Sequence, residues 1–142
     1  MSAVEFARSW IGTPYVHQAS AKGAGADCLG LLRGVWRELF GAEPEAVPAY
    51  SPDWSEPQRI EALWAAAARH LVEKPVAQIA PGDVILFRMR AGSVAKHLGI
   101  VGRAGASASF IHSYSGHGVL ESALTAPWRR RIVAAFEFPV QE

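Results

Sequence analysis

Apolar residues recur at helical spacing along the first half of the chain and alternate at strand spacing along the second. Residues 2–11 set Val4, Phe6, Ala7, Trp10 and Ile11 along one side of a short helix, which Gly12-Thr13-Pro14-Tyr15 breaks. A loop over 16–26, rich in Gly, Ala and Ser, leads to apolar positions 28, 31, 32, 35, 36, 39 and 40, which predict a second helix. Asp27 stands as its N-cap, and Gly41 followed by Pro44 as its stop. Pro44, Pro48, Pro52 and Pro57 interrupt the next stretch. A third helix then starts at Ser55 or Glu56, carries Ile60, Leu63, Trp64, Ala67 and Leu71 on one face, and closes at Pro75.

Beyond the Pro81-Gly82-Asp83 turn the period becomes two. Val84–Phe87 predicts a short buried strand; 97–102 and 108–112 predict two more. Gly116-His117-Gly118 turns into Val119-Leu120-Glu121, and 132–138 makes the last strand. Helices first and strands afterwards argue for an α+β fold with N-terminal helices packed on a C-terminal antiparallel β-sheet. If His97 opposes His112 in a hairpin, Arg103-Ala104-Gly105-Ala106 is its loop, and both imidazoles share one sheet face.

Length and charge narrow the function classes. One domain, residues 1–142, is expected, with 43–75 as a proline-rich insert plus helix. The net charge of +1 gives no argument for nucleic acid as a partner, and no run of apolar residues is long enough for membrane insertion. The opening residues lack the basic start and apolar run of a signal peptide, so the expectation is synthesis in the cytoplasm, with delivery by a carrier or by lysis. Trp128-Arg129-Arg130-Arg131 reads as a solvated run leading into the last strand. Trp10, Trp36 and Trp64 read as core, and Trp54 as a contact surface.

Cys28 is the single cysteine of the chain, which excludes an internal disulfide. It falls in the first turn of the second helix, beside unpaired backbone N–H groups and the positive end of the dipole. That setting favours thiolate over thiol, and the Cys28 N–H can serve a developing oxyanion. The competing reading is a small buried hydrophobe. His97 and His112 allow three readings: a base with the group that fixes its tautomer, two solvated surface histidines, or, with Cys28, three zinc ligands without the usual close spacing. His70 reads as a surface residue at a helix C-terminus.

Five pieces in this order resemble the NlpC/P60 family of papain-like cell-wall cysteine peptidases: Gly12-Thr13-Pro14-Tyr15, Asp27-Cys28-Leu29-Gly30, Pro81-Gly82-Asp83-Val84-Ile85-Leu86-Phe87, His97-Leu98-Gly99-Ile100-Val101 and Phe110-Ile111-His112. The resemblance is greatest to members carried by phage tails and gene-transfer-agent particles, which have Asp-Cys-Leu-Gly in place of Asp-Cys-Ser-Gly. It implies a papain-like NlpC-type fold, Cys28 as nucleophile, His97 as base and His112 as the residue that orients it. Tyr15 falls near the oxyanion and substrate, and Asp27 where some members bind a substrate amine; no cofactor and no metal are implied. The implied substrate is the peptide stem of peptidoglycan, commonly cut between D-γ-glutamyl and a diamino acid. The implied partners are phage-like tail-tip or baseplate proteins; the docking surfaces expected from the chain itself are the proline-rich insert around Tyr50 and Trp54 and the segment 136–142. Leu29 departs from the family's hydroxyl residue, which leaves the need for a free N-terminal L-Ala open. An idle structural module of a tail tip and a thiol acyltransferase are the alternative functions.

Overall fold

Helix α1 (Ala3–Ser9) begins at a capping box: Ser2 Oγ accepts from the Glu5 N–H, and Glu5 Oε1 accepts from the Ser2 N–H. Val4 and Ala7 are its buried side, and Trp10 at its C-cap is 2 % exposed. Helix α2 (Cys28–Phe40) runs from the Asp27 cap to Gly41, whose φ of 91° needs glycine. Trp10 crosses α2 at Gly34, where an added Cβ would come within 2.0 Å of the indole. In this computed structural model residues 2–45, 62–89, 92 and 94–139 are described. Tyr50, Trp54, Ile60, the start of the third helix and 140–142 lie outside them.

The loop between the first two helices contains a small hairpin that the sequence pattern did not reveal: β1 (Ser20–Ala21) pairs antiparallel with β2 (Gly25–Ala26). Helix α3 (Ala62–His70) stops earlier than its apolar period suggests. The residues after it form β3 (Val72–Lys74), a strand absent from the sequence reading. Pro75 explains the shift, because a residue before proline is pushed from helical to extended backbone. Lys74 Nζ then meets Asp83 Oδ2 at 2.8 Å and so ties β3 to the Pro81-Gly82-Asp83 turn.

Strands β4 (Val84–Arg88), β5 (Ala95–Arg103), β6 (Ser109–Tyr114), β7 (Gly118–Ala123) and β8 (Ile132–Glu137) join β3 in one antiparallel sheet, in the order β3-β8-β4-β5-β6-β7. The α+β expectation holds. Side-chain alternation sorts the sheet into two faces. Val84, Leu86, Leu98, Ile100, Ile111 and Phe136 meet Leu31, Val35 and Leu63 of the helices. Ile85, Phe87, Val101, Phe110 and Ala135 meet Leu124 and the half-buried Trp128 on the other side. Each large side chain so buried contributes about 1.5–3 kcal/mol.

Three sequence expectations change here. The β5–β6 register is Ile100↔Ile111 and Val101↔Phe110, with a bulge before Arg103↔Ser109. The sum of paired indices is therefore two higher than the His97–His112 pairing requires, and the turn is the longer segment 104–108. Because the shift is even, both histidines stay on one face, but they are diagonal rather than opposite. Trp128 is not part of a solvated run: Pro127 starts a four-residue helix α4 (Ala126–Arg129), which turns the indole inward while Arg129, Arg130 and Arg131 remain exposed. Finally, the described part of the segment assigned to docking is structural. Phe136 is fully buried, and Phe138 lies 6.1 Å from Trp36 and 6.4 Å from Phe40, ring to ring.

Candidate active site

The cysteine side of the site is built on backbone hydrogen bonds. Asp27 Oδ1 accepts from the Gly30 N–H at 2.7 Å, which caps α2, and Oδ2 accepts from the Gln18 N–H at 2.7 Å. One carboxylate thus clamps the preceding loop onto the first turn of the helix. Gly30 makes this possible, since a Cβ there would sit 1.8 Å from the Ala19 carbonyl oxygen. The Pro14 carbonyl accepts from the Ala26 N–H, the Thr13 carbonyl from the Val119 N–H, and Thr13 Oγ1 from the Gly23 N–H. Gly12-Thr13-Pro14-Tyr15 therefore bridges β7 and β2. Ser113 Oγ donates to the Ala26 carbonyl at 2.6 Å and sets β6 against the residues just before Cys28.

Cys28 is 7 % exposed. The nearby backbone N–H groups of Leu98, Leu29 and Cys28 favour the charged form of its sulfur, which places Sγ close to the residue that follows His97. Burial nevertheless pushes the thiol up to about 12, and the Asp27 carboxylate adds to the rise. Desolvation therefore works against the helix terminus and toward the protonated thiol, the opposite direction to the expected thiolate. Tyr15 is half-buried, and its hydroxyl is pushed up by burial and then by the nearby Asp27 carboxylate. His17 joins this side, with Nδ1 3.7 Å from Asp27 Oδ2.

Side chains build the histidine side. His97 Nε2 and His112 Nδ1 are 2.8 Å apart, and His112 Nε2 is 2.9 Å from Ser122 Oγ on β7. Gly99 leaves room for this diagonal contact: a Cβ there would lie 2.7 Å from the Phe110 ring and 3.3 Å from His112 Cβ. Phe87 stands 5.7 Å from His97, Phe110 4.1 Å from His112, and Trp128 5.9 and 5.4 Å from the two, measured between ring centroids. In this aromatic enclosure burial, then the neighbouring His112, pushes His97 down to about 3. Burial, then His117, pushes His112 down to about 4. Both imidazoles are neutral near pH 7. Among the described residues no three His, Cys, Asp or Glu side chains are gathered as a metal ion would need.

With Nε2 of His97 engaged by His112, Nδ1 is its remaining ring nitrogen. A neutral thiol, a neutral imidazole and donors already aimed at the sulfur suit acyl transfer through a covalent thioester. The structure brings Cys28, Asp27 and Tyr15 together on one side, and His97 and His112 on the other. Sequence reasoning missed Ser122 and Trp128. Ser122 was within reach of it, since the Gly116–Gly118 turn sets Phe110 opposite Ser122 and so puts the hydroxyl on the histidine face.

The family model described as the NlpC/P60 family matches residues 12–137. The chain belongs to the NlpC/P60 family. A relative in Escherichia coli (strain K12), the murein DD-endopeptidase MepS/murein LD-carboxypeptidase, is 30 % identical over 124 residues, which is 86 % of this chain and 54 % of that protein. This chain thus spans about half the length of that relative. In fold it resembles the NlpC/p60 domain of the peptidoglycan hydrolase SagA, with a TM-score of 0.63 at 22 % identity, covering 96 % of this chain and 97 % of that one. It also resembles an NlpC/P60 family protein of Bacillus cereus ATCC 10987, with a TM-score of 0.65 at 19 % identity, covering 96 % of this chain and 39 % of that one.

Proposed function

We propose that this NlpC/P60 domain is a cysteine peptidase that hydrolyses peptide stems of peptidoglycan. The observation that carries the reading is Cys28 in the first turn of α2, its sulfur close to the N–H of Leu98, the residue after His97, whose Nε2 lies 2.8 Å from His112 Nδ1. Family membership supplies the substrate class. In the first step the Sγ–H proton moves to His97 Nδ1 as sulfur attacks the amide carbon. The carbonyl π electrons pass to oxygen, where the Cys28 N–H and the Tyr15 hydroxyl donate to the oxyanion. His97 then returns the proton to the leaving amine, and the thioester remains. In the second step His97 takes a proton from water, and the resulting attack releases the acid and restores the thiol. Transfer within the Cys28–His97 pair creates no net charge in the buried site, so the thiolate forms only as His97 takes its proton.

The D-γ-glutamyl–diamino acid bond is the cleavage assigned to this chain, whereas the E. coli relative is named for DD-endopeptidase and LD-carboxypeptidase activities. Asp27 accepts from two backbone amides as a clamp, and the lone pairs its carboxylate keeps leave recognition of a substrate amine part of the proposal. Delivery by a phage-like tail tip or gene-transfer-agent particle is part of the proposal, supported by Leu29 in the Asp-Cys-Leu-Gly motif. Digestion of purified sacculi with mass analysis of the fragments tests the chemistry and the bond together. Fragments that appear with the wild type and not with Cys28→Ala support it. No fragments from any stem type would favour the idle structural module. Recovery of the protein in purified particles tests delivery; its absence from them would sink that part alone.

A further inference from the structure

We infer that Ser122 is a positioning residue for the base, acting through His112; this rests on the peptidase reading above. The argument is one of proton count along a buried line of hydrogen bonds. His97 can accept a proton at Nδ1 only as the tautomer that carries hydrogen on Nε2. That hydrogen points at His112 Nδ1, 2.8 Å away, which must then offer a lone pair. A neutral His112 with a bare Nδ1 carries its own hydrogen on Nε2, and Ser122 Oγ lies 2.9 Å from that atom. So the hydroxyl of Ser122 accepts, His112 donates to it, and the direction of both bonds follows.

The opposite arrangement uses the same distances: Ser122 donates to His112 Nε2, and His112 donates from Nδ1 to His97 Nε2. It leaves His97 with hydrogen on Nδ1, the nitrogen that the peptidase reading assigns to the sulfur, and therefore without basic capacity there. The two arrangements differ only in where hydrogens lie, and the enclosure decides how freely they exchange. His112 is 1 % exposed, and Phe110 and Trp128 pack against it, so its ring nitrogens bond to protein groups rather than to bulk water. Ser122 is half-buried on β7, opposite Phe110, with its side chain on the histidine face. It sits at the outer end of the line, where its oxygen is the acceptor that the base-competent arrangement needs.

Nitrogen-15 chemical shifts of the imidazoles in the full chain, labelled and at neutral pH, read the tautomers directly. The expected result is hydrogen on Nε2 of both His97 and His112. Hydrogen on Nδ1 of His112 in the wild type overturns the inference whether or not the protein cleaves sacculi, so this measurement stands apart from the activity. Ser122→Ala is expected to raise the Nδ1–H form of His112 and to lower kcat by about tenfold or more, with KM changed less than about twofold. Ser122→Thr keeps the oxygen and should retain wild-type kcat, while its isostere Ser122→Val should behave like Ser122→Ala. Equal kcat for Ser122→Thr and Ser122→Val overturns the role, because a packing function would not distinguish them.

Discussion

Asp27 grips the loop before Cys28 through two backbone amides, whereas His97 is gripped by another ring, which is held in turn by a hydroxyl. The cysteine side stands on main chain and on glycines that let segments touch. The histidine side stands on side chains from three strands and on aromatic packing. Main-chain scaffolds tolerate changes of side chain and fail when a Cβ intrudes. A relay of rings fails when one polar atom is lost. The two sides should therefore respond to opposite kinds of substitution.

Catalysis gives the largest separation. His97→Ala removes the base and is expected to cut kcat on sacculi by about 10³–10⁴-fold, close to the loss in Cys28→Ala. His112→Ala leaves His97 Nε2–H without its partner and should cost about 10–100-fold. His112→Gln, whose carbonyl oxygen can accept that hydrogen, should cost less than His112→Ala. Similar small losses in all three histidine variants would break the picture of a relay with distinct roles.

The same contrast explains what the sequence makes legible. Cys28, its Asp27 cap and the run of α2 follow from local chemistry, since caps, glycine stops and helical period act over a few residues. The strands β4 and β5 follow equally well, because both sheet faces are covered there and their apolar residues are concentrated. The histidine side depends on register. A bulge at Gly102 and a turn of five residues moved the pairing by two positions, and no local signal announces a bulge. Only parity survived, which is why His97 and His112 still meet. The strand β3 was hidden for another reason: Leu71 completes the helical period, so the pattern runs on past the point where Pro75 forces extension. The thiolate expectation left out burial, a property of the assembled fold that pushes the thiol up and that helix position alone does not convey.

Stability should separate the two sides next. In Gly30→Ala the new Cβ meets the Ala19 carbonyl oxygen, a backbone atom that also accepts from the Asp27 N–H. Neither partner can rotate away, and a loss of about 3–5 kcal/mol is expected. In Gly99→Ala the nearest atom belongs to the Phe110 ring, which can shift, and about 1–3 kcal/mol is expected. Urea unfolding of the two variants measures both. A larger loss for Gly99→Ala would show that the histidine side, and not the main-chain clamp, is the rigid part of the site.

The smallest effects per unit of perturbation come from protons, and their sign differs between the sides. The imidazoles of the unfolded chain take up protons below about 6.5, whereas folded His97 and His112 resist until about 3 and 4. Across that window the unfolded state binds more protons, so stability falls as pH drops, with both rings contributing as a coupled pair. The cysteine acts in the other direction. Unfolded Cys28 loses its proton near 9 and the folded thiol only near 12, so stability falls as pH rises between them, with a single group contributing. The expectation is a plateau between the two arms, steeper on the acid side. Urea midpoints at about pH 4.5, 7.5 and 10 trace it. Cys28→Ala should flatten the alkaline arm and leave the acid arm, while His112→Gln should reduce the acid arm and leave the alkaline one. Iodoacetamide should accordingly label folded Cys28 slowly at about pH 8 and rapidly once urea unfolds the chain, because the thiolate is the nucleophile. Fast labelling of the folded protein, with an unchanged alkaline arm in Cys28→Ala, would mean that the sulfur is ionised at rest after all. The helix terminus would then outweigh burial on the cysteine side.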